Sequence, residues 1–166
     1  MTGEGGQRGG EARACFQRGY EAQMAGRLDE AIEWYGRSIA AHPTAEAHTF
    51  LGWTYSFQGR LEDAIAECKT AIAVDPDFGN PYNDIGAYLI ELDRWDEAIP
   101  WLERAKRAPR YEARQYPYFN LARVYTKQSR PWEAIRELRK AVELEPRYAA
   151  ARRELARLQH RLHMLN

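Results

Sequence analysis

A four-residue pattern occurs four times along the chain and restricts its possible architectures more than any other feature. Asp29-Glu30-Ala31-Ile32 recurs as Glu62-Asp63-Ala64-Ile65, Asp96-Glu97-Ala98-Ile99 and Trp132-Glu133-Ala134-Ile135, and the alanines step by 33, 34 and 36 residues. A second marker keeps the same register: Gly19, Gly52, Gly86 and Ala122 step by 33, 34 and 36, and Ala156 follows 34 residues later. Each unit closes on a proline: Pro43, Pro76, Pro109 and Pro146. A unit of this length is one supersecondary module that cannot bury its apolar face alone, so such units stack on one another.

Inside each unit the apolar spacing is helical. Tyr82, Ile85, Gly86 and Leu89 fall at i, i+3, i+4 and i+7, one stripe of a 3.6-residue period. The small residues Gly52, Gly86 and Ala122 within that stripe let a second helix approach closely. Gly26 and Gly59 supply the left-handed residue that ends a helix, and Asp93 and Ser129 take the equivalent places as poorer substitutes. Pro81 and Pro117 suit a first helical turn, whereas Pro100, about a turn into its helix, predicts a mild bend. The pattern gives helix pairs at 12–25 and 28–41, 45–58 and 61–74, 80–92 and 95–107, and 115–128 and 131–144, with a ninth helix over 148–163. Arg152, Arg153, Arg157 and Arg161 stand where a further unit would dock, so the ninth helix reads as a solvating cap. The carboxylate pairs Glu62-Asp63 and Asp96-Glu97 open second helices, where they are expected to satisfy free N–H groups and the helix dipole.

These units resemble the tetratricopeptide repeat, whose signature runs W-x₂-L-G-x₂-Y, A-x₃-F, then P. The second unit follows it with His48, Leu51-Gly52, Tyr55, Ala64, Cys68 and Pro76, and the third with Tyr82, Ile85-Gly86, Leu89, Ala98, Leu102 and Pro109. The fourth has Tyr118, Leu121-Ala122, Tyr125, Ala134, Leu138 and Pro146. The first, with Cys15, Arg18-Gly19, Ala22, Ala31, Tyr35 and Pro43, departs most, because Arg18 stands where the family has leucine. The resemblance covers residues 12–166 and implies an all-α fold, a right-handed α-solenoid of antiparallel helix pairs. It gives a single domain over 12–166, with repeats at about 12–44, 45–78, 79–112 and 115–148 and a capping helix over 148–163. Residues 1–11, with Gly3, Gly5, Gly6, Gly9 and Gly10, read as a flexible leader, since glycines are costly to order without packing partners.

The remaining composition narrows the function class. No apolar run approaches the ~20 residues that span a bilayer, and the N-terminus lacks a signal-peptide core, so a soluble cytoplasmic protein with no membrane partner is expected. Cys15 and Cys68 lie in helical patterns outside any CxxC and read as buried packing residues. No GxSxG, HExxH, GxxxxGK[ST] or GxGxxG occurs, and the only serines are Ser38, Ser56 and Ser129, so an enzyme is not expected, nor a cofactor. His160 and His163 share a helix face but have no third ligand beside them, so no metal is expected.

What is left is surface. In the family the first helices line the concave side, which places Phe16 and Tyr20 of the first unit and Thr49, Phe50, Trp53 and Phe57 of the second along one groove. Asn80, Asn83 and Asp84 follow from the third unit, and Tyr116, Phe119, Asn120 and Arg123 from the fourth. Exposed aromatics mark interaction sites and dominate binding hot spots, and the asparagine amides can pair with both the N–H and the C=O of an extended chain. The expected function is a protein-protein interaction scaffold whose partner is another protein, held as a peptide or helix. The basic residues that grip a terminal carboxylate in the chaperone-binding members of the family are missing from this face, where Phe16, Tyr20, Phe50, Asn80 and Asp84 stand. Self-association as a homo-oligomer is the alternative, because residues 1–100 carry 8 Lys/Arg against 17 Asp/Glu and residues 101–166 carry 16 against 7, so the two ends have opposite charge. Leu155, Leu158, Leu162 and Leu165 offer a second route through the cap. Nucleic acid is the least favoured partner: Arg147, Arg152, Arg153, Arg157 and Arg161 form a basic end, but arginines on such a helix are usually solvated.

Overall fold

The computed structural model describes residues 3–164, and among them the chain forms nine α-helices. These are α1 (Gly3–Met24), α2 (Leu28–Ala41), α3 (Ala45–Phe57), α4 (Leu61–Val74), α5 (Asn80–Glu91), α6 (Trp95–Arg107), α7 (Gln115–Lys127), α8 (Pro131–Leu144) and α9 (Ala149–His163). Eight pair as antiparallel hairpins, α1 with α2 through α7 with α8, and α9 packs on α8. The bounds of α2 to α9 fall within about one residue of those expected from the repeat. α1 differs: it starts at Gly3, so residues 3–11 are helical where the glycine content suggests a leader. Once the stretch from Ala12 is packed, each further helical residue adds a backbone hydrogen bond without a new nucleus. A Cβ on Gly5, Gly6, Gly9 or Gly10 would meet nothing within 4 Å.

The repeat markers are the core. Ala31, Ala64, Ala98 and Ala134 are fully buried, as are the residues four positions on: Tyr35, Cys68, Leu102 and Leu138. The partner helix meets them through its smallest residue. A Cβ on Gly52 would lie 2.9 Å from the Ala64 carbonyl oxygen and 3.3 Å from Cys68 Sγ, and one on Gly86 would overlap Leu102. In the first unit Tyr35 takes the leucine's place, with its ring against Gly19 and its hydroxyl donating to Gln23 Oε1 at 2.7 Å. Arg18 turns outward and stacks with Arg37 on the Trp34 ring. Both cysteines are buried and free.

Turns follow the expected chemistry. Gly26 and Gly59 have φ of 75° and 74°, and Asp93 and Ser129 adopt the same left-handed conformation at 58° and 57°. Pro81 lies in the first turn of α5, and α6 runs through Pro100 as one helix. The first-turn carboxylates act differently from expectation. α2, α4, α6 and α8 have no side-chain cap, and Glu30, Asp63, Glu97 and Glu133 pair instead with the arginine three residues earlier: Arg27, Arg60, Arg94 and Arg130. The acid at the head of each tetrad reaches into the next unit: Asp29 accepts from Gln58 at 2.9 Å, Glu62 from Arg94 at 2.9 Å, and Asp96 from Gln128 at 2.7 Å. In the fourth unit Trp132 holds that register and is 67% exposed.

A loop bridge joins units two and three. Gly79 N–H donates to the Arg110 carbonyl, Arg110 N–H donates to the Asp77 carbonyl, and the Arg110 guanidinium spans Glu46 and Asp75. Successive odd helices touch, α1 with α3, α3 with α5 and α5 with α7, whereas the even helices form no such series. The side on which neighbours lie closest is the inside of the curve, so the odd helices line the concave face.

Candidate peptide-binding groove

Along α1 and α3 the concave face carries a chain of aromatic rings in mutual contact. Phe50 is its hub, with centroids 5.2 Å from Phe16, 5.9 Å from Tyr20, 6.1 Å from Tyr35 and 5.7 Å from Trp53. Trp53 continues to Phe57 at 5.2 Å. The contacts are mostly tilted or edge-to-face, the arrangement the ring quadrupole favours. Phe16 and Phe50 pack against the core of Tyr35 and Leu51 and so join the first two units. The outer members face solvent: Tyr20 is 39% and Phe57 56% exposed, and Trp53 is partly exposed. Thr49 lies beneath this surface, buried, with its hydroxyl donating to the Ala45 carbonyl of the preceding turn. Phe16 also lines a cleft of about 730 Å³ shared with Arg13, His42, Thr44 and Glu46.

The middle of the face is polar. Asn120 of α7 donates to Asn83 Oδ1 of α5 at 3.0 Å, and Arg123 donates to Asn120 Oδ1 at 3.1 Å. Both asparagines are buried, so the amides expected to read a bound backbone are spent largely on each other. Asn80, at the start of α5, is partly exposed. Asp84 is partly exposed as well, and its one side-chain hydrogen bond among the described residues is from Asn83 Nδ2 at 3.5 Å. Desolvation holds its carboxyl up at about 7 against a usual 3.8, and the Asn83 contact opposes this only weakly. Burial likewise raises the Cys68 thiol and the Tyr88 and Tyr111 hydroxyls, and the charge of Asp84 adds to each.

A second aromatic group closes the far end. Tyr148 lies 5.6 Å from Tyr116 and 5.0 Å from Phe119, and Tyr116 is 43% exposed. Tyr148 was not among the expected groove residues. Its signal is periodic, because an aromatic follows two residues after the closing proline in three units, as Phe78, Tyr111 and Tyr148. On the cap, Leu158 is buried and Leu155 and Leu162 pack against the core, whereas Leu165 lies outside the described residues. Arg157 is paired with Glu154.

The family model for the tetratricopeptide repeat matches residues 16–78, 51–113 and 119–162. The chain is a tetratricopeptide repeat protein. It is 32% identical over 144 residues to a heat shock protein sti1 homolog of Schizosaccharomyces pombe, covering 84% of this chain and 22% of that one. It is also 32% identical over 90 residues to small glutamine-rich tetratricopeptide repeat-containing protein 2 of Mycosarcoma maydis, covering 54% and 26%. This repeat protein thus spans about a quarter or less of the length of those relatives. Among solved structures it superposes on Pseudomonas aeruginosa pilF with a TM-score of 0.89 at 23% identity, covering 95% of this chain and 72% of that one. MamA gives 0.74 at 24%, covering 90% and 81%. YrrB, described as a TPR protein with an unusual peptide-binding site, gives 0.70 at 16%, covering 86% and 73%. These likenesses establish the solenoid. No described helix is long and apolar enough to cross a membrane.

Proposed function

We propose that this chain is a non-enzymatic interaction module that holds an extended or helical segment of another protein along the face of α1, α3, α5 and α7. The observation that carries the reading is the ring chain from Phe16 to Phe57, whose outer members Tyr20, Trp53 and Phe57 stay open to solvent on the concave side. Partly buried aromatics beside polar groups are the usual anchors of a protein interface. The description of YrrB and the family membership support the same class of function. Binding of a chain-terminal carboxylate is disfavoured here, since Asp84 stands in mid-groove and would repel it.

The test is Trp53→Ala. With a co-purified partner, affinity falls by about 2 kcal/mol or more while the melting curve holds. A lowered melt with unchanged affinity would make Trp53 an inter-unit packing residue and remove the groove's centre.

Self-association is the second reading, favoured by Trp132, which stands 67% exposed in the register that elsewhere staples one unit to the next. Sedimentation at ~50 and ~500 mM salt separates its forms, because screening shortens to well under 10 Å across that range. A charge-driven contact dissociates, a Trp132 contact persists at high salt, and a monomer at both salts refutes the reading.

A further inference from the structure

Asp84 occupies an unusual position for a carboxylate. It lies on α5 midway along the concave face, with the Phe50 and Trp53 rings toward one end and Phe119 and Tyr148 toward the other. No described cation is within ion-pair distance of it. On the adjoining inner helices, Arg123 of α7 gives its guanidinium to Asn120 and His48 of α3 pairs with Glu67. The groups whose ionisation responds to Asp84 are Cys68 of α4, Tyr88 of α5 and Tyr111 between α6 and α7, all neutral acids that bring no positive charge. Tyr88, one turn further along α5, is 5% exposed. No cluster of three or more metal-ligating side chains forms among the described residues.

A carboxylate desolvated without a counter-charge is unfavourable, and a cation that reaches it recovers that cost on binding. An organic cation on a chain whose neighbours are apolar would meet both parts of the face, with its charge on Asp84 and its flanks on the aromatic groups at either end. We propose that Asp84 is the specificity-determining residue of the groove and receives a lysine or arginine of the bound segment, flanked on both sides by apolar residues. The inference rests on the groove reading above and adds the sequence class that the groove selects. It also accounts for the basic groups of this face being engaged elsewhere, Arg123 on Asn120: a cation placed beside Asp84 by the protein itself would occupy the position the ligand needs.

The experiment is selection of random twelve-residue peptides on the whole chain and, in parallel, on Asp84→Asn, which keeps the side chain's shape and removes its charge. Peptides enriched on the wild type share a lysine or arginine at one fixed place between apolar residues, and peptides enriched on Asp84→Asn lose it. Replacing that lysine by methionine in one selected peptide then lowers affinity about thirtyfold or more for the wild type, the range for truncating one partner of a desolvated charge pair, and less than twofold for Asp84→Asn. Enriched peptides that compete at the groove and are weakened by Trp53→Ala, yet carry no fixed cation, would overturn the inference and leave the groove reading standing. Failure to enrich any peptide, or enrichment of peptides indifferent to Trp53→Ala, would overturn both.

Discussion

Glu137 of α8 accepts a 2.7 Å hydrogen bond from the Lys106 ammonium of α6, and both side chains are almost entirely withdrawn from water. Lys106 also bonds Glu103 and lies 4.4 Å from the Tyr118 ring centroid, so its charge is fully engaged. Removing one partner of such a pair leaves the other charge buried. Glu137→Ala is expected to cost about 3 kcal/mol, read by chemical denaturation. The double variant Glu137→Leu with Lys106→Met is expected to regain most of it, because two apolar residues of similar size leave no orphan charge.

Two helix ends use left-handed residues that bear a Cβ. Asp93 offsets the strain, since its carboxylate accepts from Trp95 Nε1 at 3.1 Å. Ser129 has nearly the same φ, and its hydroxyl makes no such bond among the described residues. Ser129→Gly is therefore expected to stabilise the fourth unit by about 1 kcal/mol, and Asp93→Gly to gain less or nothing. Equal gains at both sites in denaturant melts would show that the Trp95 contact is energetically idle.

The sequence makes these ends legible because a short reversal between two helices has few backbone solutions, and residues tolerant of positive φ sit at each. The core register is legible for a similar reason: alanine recurs where two helix axes come closest. The groove is less so. That Asn83 and Asn120 lie on one face follows from helical spacing, but their bond to each other depends on how far successive units rotate, which no local pattern encodes. The same rotation sinks Thr49 beneath the face and brings Tyr148 onto it. The arginines Arg27, Arg60, Arg94 and Arg130 were legible in principle, as they recur with the repeat, yet propensity assigns the acids that follow them to capping.

Gly52 tests the close helix approach. A side chain there meets the Ala64 backbone carbonyl, which cannot move without displacing α4. Gly52→Leu is expected to cost about 3 kcal/mol, the upper end of overpacking effects, and to open the second unit. Because coupling between stacked units is nearest-neighbour, hydrogen exchange should rise in α3 and α4 first and least in α8 and α9. A near-wild-type melt would contradict the register.

Asp84 gives the molecule a distinctive pH response. Its carboxyl is raised from 3.8 to about 7 by desolvation, so between those values the folded chain keeps a proton that the unfolded chain has released. Where the native state binds more protons, unfolding free energy falls as pH rises. The contribution of Asp84 is therefore fully present below about pH 4, lost progressively toward pH 7, and flat above it. This runs opposite to the exposed acids Glu30 and Glu97, whose arginine partners lower their pKa, and to Glu133, lowered first by its own backbone N–H and then by Arg130; the contribution of all three is lost on acidification. Asp84→Asn removes the proton-linked part. The difference in stability between Asp84→Asn and the wild type, measured by urea melts from pH 5 to pH 8, is expected to grow in favour of the variant as pH rises and to level off above about 7. A difference independent of pH would mean that the carboxyl ionises normally, and Asp84 would then incur no desolvation cost for a bound cation to recover.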